Sequence, residues 1–259
     1  MNLDLTGKNA LVCGSTAGIG KAIAKELAEM GANLYLMARN EEKLKSALTE
    51  MDSSKGQKHN YVVADFSDVS NVKTAVESIQ NPIHILINNT GGPPGGPIVD
   101  AKIEEFTAAF SMHLLCNHTL VQGVKQGMID SGYGRIINII STSVKIPLTG
   151  LGVSNTVRGA VGNWAKTMAN ELGVHGITVN NVLPGATATE RLSSIIESKA
   201  SKTGKSIKEV EEGFNNAVPM KRVAEPHEVA AAAAFLASPA ASYINGINVP
   251  VDGGRTGSL

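Results

Sequence analysis

Between Gly134 and Ala160 the chain gathers hydroxyls and a guanidinium at a spacing that could polarise a carbonyl. A β-branched run (Ile136, Ile137, Ile139, Ile140) breaks into Ser141, Thr142 and Ser143. After a Pro/Gly turn, a helix is expected from near Val153. On that helix Ser154 and Arg158 are four residues apart and share one surface. At about 100° per residue, Val161, Ala165 and Leu172 fall within the same narrow arc. Two polar groups therefore head an otherwise apolar stripe, which is the pattern of a pocket edge. Such hydroxyls and a guanidinium can donate to a developing oxyanion, although hydroxyls at a strand end more commonly cap it.

A second stretch, Gly14-Ser15-Thr16-Ala17-Gly18-Ile19-Gly20, joins an apolar run to a helical pattern. Glycines let the backbone turn tightly and approach a pyrophosphate, which then rests on unpaired N–H groups at the helix start. The spacing is G-x-x-x-G-x-G, and a glycine triplet alone says little. Its place between the first strand and the first helix is what makes it a dinucleotide cradle.

The elements that must position these groups alternate along the chain. Strands are expected at Asn9–Cys13, Asn33–Ala38, His59–Val63, Ile83–Asn88, the run from Ile136, Thr178–Leu183 and Asn248–Val251. Helices are expected at Lys21–Met30, Glu41–Met51, Val69–Ile79, Glu104–Gln126, Val153–Leu172 and His227–Leu236. This alternation implies a single α/β domain over 1–259: a doubly wound Rossmann fold with a parallel sheet of about seven strands and helices on both faces. Gly91–Pro97 (GGPPGGP) must be a loop. Arg191–Val218 is polar, with a break at Gly204; it reads either as a solvated surface excursion or, over 186–220, as a substrate lid.

The 23 Lys and Arg balance 23 Asp and Glu, so no global field recruits nucleic acid or an anionic membrane. Cys13 and Cys116 sit in apolar runs, as reduced buried thiols do. No run approaches the roughly 20 apolar residues of a membrane span, and no charged-apolar-small leader is visible. A soluble cytoplasmic protein is expected.

These motifs together resemble the short-chain dehydrogenase/reductase family, nearest in layout to its 3-oxoacyl-[acyl-carrier-protein] reductase-like branch. The glycine motif is Gly14, Gly18 and Gly20, with Cys13 where a Thr is usual. The Asn-Asn-Ala-Gly after the fourth strand is Asn88-Asn89-Thr90-Gly91. Pro184-Gly185 follows the sixth strand, with Thr187 and Thr189 where the nicotinamide end is usually held. Asp65 and Phe66 match the pair that flanks the adenine, and Val251-Asp252-Gly253-Gly254 closes the chain's motifs. The resemblance implies an oxidoreductase acting on a small carbonyl or alcohol. It also implies a homo-oligomer, a dimer or tetramer, built through the helices at 104–126 and 153–172.

An acidic residue at the end of the second strand would bind a ribose 2′-hydroxyl and repel a 2′-phosphate. Here that place reads Ala38-Arg39-Asn40, with no carboxylate before Glu41. Arg39 can pair with a phosphate through its planar fork, so NADP(H) is favoured over NAD(H).

The family's catalytic Asn, Ser, Tyr and Lys are only partly present. Ser141 holds the Ser position. The Tyr-x-x-x-Lys motif falls on Ser154-Asn155-Thr156-Val157-Arg158, and the Asn position falls on His113. An aliphatic hydroxyl is a far weaker acid than a phenol, and an Arg does not release a proton. His113 alone adds an acid–base group. It shares a helical face with Phe106, Phe110, Leu120 and Val124, so it should point inward, with Asn117 a candidate partner. Its alternative is a core histidine bonded to a backbone carbonyl. The candidate catalytic set is therefore Ser141, Ser154, Arg158 and His113. Alternatives are an NADP(H)-binding sensor or inactive subunit and, far behind, a Ser141–His113 hydrolase, which would need a nucleophile elbow that is absent.

Overall fold

A computed structural model describes residues 1–258. In chain order its elements are β1 (Asn9–Cys13), α1 (Gly18–Glu29), β2 (Asn33–Ala38), α2 (Glu41–Leu48), β3 (Asn60–Val63), α3 (Val69–Glu77) and β4 (Ile85–Asn88). Next come α4 (Ile103–Phe110), α5 (Cys116–Asp130), β5 (Gly134–Ile139), α6 (Gly152–Leu172), β6 (Ile177–Pro184), α7 (Glu190–Thr203), α8 (Ile207–Asn216), α9 (Pro226–Ala237) and β7 (Asn248–Val251). The seven strands form one parallel sheet in the order β3-β2-β1-β4-β5-β6-β7. The winding reverses between β1 and β4, so a crevice opens beyond the C-terminal ends of those two strands.

Alternation along each strand feeds two cores. Ala10, Val12, Leu34 and Leu36 face one side, packed with Ile23, Leu27 and the alanines of α9. Leu11, Cys13, Tyr35 and Met37 face the other, with Val72, Leu120 and Ala165. Burial on both faces is why these strands read as continuous apolar runs. The 190–216 excursion instead has a small cluster of its own, Leu192, Ile196, Ala200 and Val210.

The apolar strands carry one polar row. Asn88, Asn138, Asn181 and Asn248 lie side by side in register across β4, β5, β6 and β7. Each donates from Nδ2 to the next Oδ1 at 2.8 Å. Asn138 is wholly buried, so its amide depends on both neighbours.

The expected helix over 104–126 is in fact two. A π turn at Ser111–Leu115 separates α4 from α5. The wider turn shifts the positions that follow, so Phe110 and Leu120 no longer share a face. Phe110 is accordingly 40 % exposed while Leu120 is buried. The break at Gly204 is a helix end: it adopts φ +69°, and its N–H donates to Ala200. No helix among the described residues is long and apolar enough to cross a membrane.

Candidate functional site

The turn from β1 into α1 is closed so tightly that only glycine serves. Gly14 and Gly18 have φ of +59° and +54°. A Cβ on Gly14 would lie 2.7 Å from the Asn89 side-chain nitrogen, and one on Gly20 would strike the Gly14 carbonyl oxygen. Asn89 fastens the turn to the end of β4, donating from Nδ2 to the Cys13 and Gly14 carbonyls at 3.2 and 3.4 Å. No side chain caps α1, whereas Asn40 and Asp68 cap α2 and α3. The first N–H groups of α1 are thus available to an anion. Ser15 Oγ is fully buried and has no partner.

At the end of β2, Arg39 is exposed, and Asn40 is committed to accepting from the Lys43 N–H at 2.9 Å. The first carboxylate beyond, Glu41, is engaged by the Tyr61 hydroxyl at 2.9 Å and by Lys45 at 3.3 Å. Asp65 lies within electrostatic reach. Hydrogen bonds from Ser67 and then the charge of Arg39 hold its carboxyl below the ordinary range.

At the other end of the crevice, β5 stops at Ile139 and Ser141 begins a 3₁₀ turn over Thr142–Val144. Ser141 Oγ accepts from the Ser143 N–H at 3.1 Å, so its own proton remains available to a neighbour. Ser154 and Arg158 lie on α6 facing the same space. Arg158 is only 7 % exposed, and its Nη1 donates to the Ile139 carbonyl at 3.0 Å. Its Nε is buried without a partner, and no carboxylate pairs with it among the described residues. Burial, then the neighbouring charge of Arg191, lowers its pKa to about 10.

His113 sits in the π turn, 1 % exposed. Its Nδ1 shares a 2.7 Å hydrogen bond with the Thr90 hydroxyl, and Nε2 has no partner. The partner is therefore neither Asn117 nor a backbone carbonyl. Burial foremost, then Arg158 and Arg191, depress its pKa to about 3, so the ring is neutral at physiological pH.

One cavity of about 470 Å³ joins these parts. Of the sequence-derived candidates it brings together Gly14, Gly18, Ile19, Asn89, Gly91, Ser141, Ser154, Arg158, Pro184, Gly185, Thr187 and Thr189. Ser15, Thr16, Gly20, Asn88 and His113 are not on its wall. Asn88 belongs to the asparagine row, and His113 stands behind Thr90. Arg39, Asn40, Asp65 and Phe66 mark a separate surface at the ends of β2 and β3.

Sequence reasoning named Thr90 and Asn155 only as members of their motifs and gave no site role to Arg191 or Arg255; Thr90, Arg191 and Arg255 are on the wall, and Asn155 braces a loop that borders it. Arg191 Nη1 and Nη2 donate to the Gly92 and Pro93 carbonyls, both at 3.0 Å, tying the start of α7 to the glycine–proline loop. Asn155 pins the loop before α6 through the Leu148 N–H and carbonyl, at 3.3 and 2.8 Å. The available signal was position: Arg191 is the second residue of the helix that Thr189 caps, and Arg255 follows the closing Gly253-Gly254.

A family model described as enoyl-(acyl carrier protein) reductase matches residues 14–256. The NADPH-dependent reductase BacG of Bacillus subtilis is 32 % identical over 259 residues, covering 98 % of this chain and 100 % of the relative. The 3-oxoacyl-[acyl-carrier-protein] reductase FabG of Vibrio cholerae is 32 % identical over 253 residues, covering 97 % and 98 %. Among solved structures, L-sorbose reductase from Gluconobacter frateurii, complexed with NADPH and L-sorbose, superposes with a TM-score of 0.93 at 30 % identity over 100 % of both chains.

Proposed function

The chain belongs to the short-chain dehydrogenase/reductase family, and from that premise we propose that it is an NADP(H)-dependent oxidoreductase interconverting a small carbonyl compound and its alcohol at an altered active site. The observation that carries this reading is the single cavity running from the glycine turn to Ser141, Ser154 and Arg158. The uncapped start of α1 and the orphaned Ser15 hydroxyl fit a pyrophosphate. Thr16, Ile19 and Gly20 complete that turn, while Arg39 and Asn40 would meet the 2′-phosphate end. Asp65 and Phe66 would flank the adenine. Asn88, Asn89 and Gly91 would border the ribose, and Pro184, Gly185, Thr187 and Thr189 the nicotinamide end. When bound, the nicotinamide supplies or accepts a hydride.

The chain's own residues act on the substrate oxygen. Ser141 and Ser154 donate hydrogen bonds to it, and Arg158 adds a fixed positive charge that favours a developing oxyanion. His113 is neutral, so it orients the Thr90 hydroxyl on the cavity wall, and the proton comes from water. Segment 186–220 would close as a substrate lid, and α5 and α6 would pack against a second copy to give a dimer or tetramer.

One observation favours a second reading, NADP(H) binding without hydride transfer: among the described residues no tyrosine lines the cavity. Tyr133 donates to the Ala237 carbonyl at 2.7 Å, and Tyr243 is exposed. Titrating NADPH and following its absorbance with a carbonyl panel separates the two. The proposal expects binding and turnover, with turnover falling by about 10²-fold in Ser141→Ala and falling also in His113→Ala. Tight binding without oxidation selects the second reading. Unchanged rates in both variants overturn the assigned roles.

A further inference from the structure

Among the described residues two arginines are buried, and only one is satisfied. Arg135 is 3 % exposed. Its Nη1 donates to the Gly134 and Gly176 carbonyls and its Nε to that of Ser238, while its guanidinium lies 4.2 Å from the Tyr133 ring centroid. That is how a structural arginine is accommodated without a carboxylate. Among the described residues Arg158 has one carbonyl on Nη1, no ring and no carboxylate, yet it lines the cavity. Its Nε is buried without a partner, and among the described residues Nη1 makes its one hydrogen bond, so most of the guanidinium's donor capacity is unused on a wall where a carboxylate could pair with it. A buried, unpaired cation is costly to the folded chain. Arg191 and Arg255 add positive charge to the same wall, where, among the described residues, the only carboxylate is the exposed Glu190. Neither Arg191 nor Arg255 forms an ion pair among the described residues.

We propose that the substrate carries a carboxylate, paired with the under-used guanidinium of Arg158 and faced by Arg191, so that the carbonyl held by Ser141 and Ser154 belongs to an oxo acid and its product to a hydroxy acid. This rests on the oxidoreductase reading and adds the substrate class to it. The geometry divides the work. Ser141 closes the strand end and Ser154 opens the helix, while Arg158 lies one turn further along α6. A substrate spanning these groups places its anionic group deeper than its reacting carbon.

The test uses two probes of equal size and different charge, cyclohexanecarboxylate and cyclohexanecarboxamide. Each is titrated calorimetrically into the full chain with and without saturating NADP⁺, with inorganic phosphate as a third arm. The carboxylate is expected to bind about tenfold or more tighter than the amide. Arg158→Met should remove that preference, Arg191→Met should weaken it, and NADPH affinity should move less than about threefold. Arg158→Met should also melt no lower than wild type without ligand, since it removes an unpaired buried charge. If that variant does not fold, Arg158→Gln and Arg191→Met carry the comparison. Equal or absent binding of the two organic probes overturns the proposal. So does phosphate binding tighter than the carboxylate, or a loss of NADPH affinity in Arg158→Met matching the loss for the acid, which would assign the arginine to the cofactor. Failure to bind NADPH in wild type defeats the oxidoreductase reading instead, and the acid–amide comparison on the free protein still decides this one.

Discussion

His113 shows what a single position can and cannot disclose. Its inward direction was legible from helical spacing, but its partner was not. Thr90 lies 23 residues earlier, and only the π turn brings the ring against it. Burial also determines its titration. The folded pKa is about 3 against an ordinary 6.5. Between those values an unfolded chain takes up a proton that the folded chain refuses. Stability is therefore full above pH 6.5 and declines as pH falls toward 3. From pH 7 to pH 5 the decline from this group is about 2 kcal/mol. Chemical denaturation across that range, compared between wild type and His113→Asn, should show a flatter profile for the variant. Parallel profiles would mean that the ring is protonated normally. The glycines were more legible than the histidine, because a positive φ and a forbidden Cβ are local demands that one residue type alone meets.

Elements were read well where burial made their pattern strong. All seven strands were found, three with both ends as expected and none displaced by more than two residues, because most of them carry the apolar runs that two cores need. The long helix was misread because a π turn adds backbone without adding any distinctive residue. The loops around the cavity stayed dark for a related reason: Asn155 and Arg191 act on backbone carbonyls, and any stretch of chain offers those. The β1–α1 turn allows a prediction at this scale. In Gly20→Ala the new methyl strikes the Gly14 carbonyl oxygen, so the turn must open. Alanine is otherwise the better helix former by about 1 kcal/mol, which limits the change in global stability. NADPH affinity should fall about tenfold or more while the thermal midpoint moves little. An unchanged affinity would show that this turn does not hold the cofactor.

At the scale of the whole molecule, the order β3-β2-β1-β4-β5-β6-β7 places the crevice, and most cavity groups descend from a strand end or the loop or helix that follows, with Phe214 of α8 added from the excursion. The asparagine row crosses half of that sheet. Asn138→Leu would leave the Asn88 amide hydrogen and the Asn181 carbonyl unpaired in the interior. The expected cost is about 2–5 kcal/mol by denaturant unfolding. Asn248→Ala, at the exposed edge where water can replace the lost partner, should cost under about 1 kcal/mol. Comparable losses in the two variants would mean that the row adds nothing beyond ordinary packing. The row also bears on how the sheet assembles. Much of β4, β5 and β6 is aliphatic on both faces, so sliding one past another by two residues would still bury aliphatic side chains, and hydrophobicity alone distinguishes the correct alignment weakly. The four amides do. A slipped pairing strands several of them in a dry interior at once, so the asparagines act as an index mark by which β4 to β7 find a single reading frame, including the one that brings Ser141 and Asn89 to the same end of the crevice.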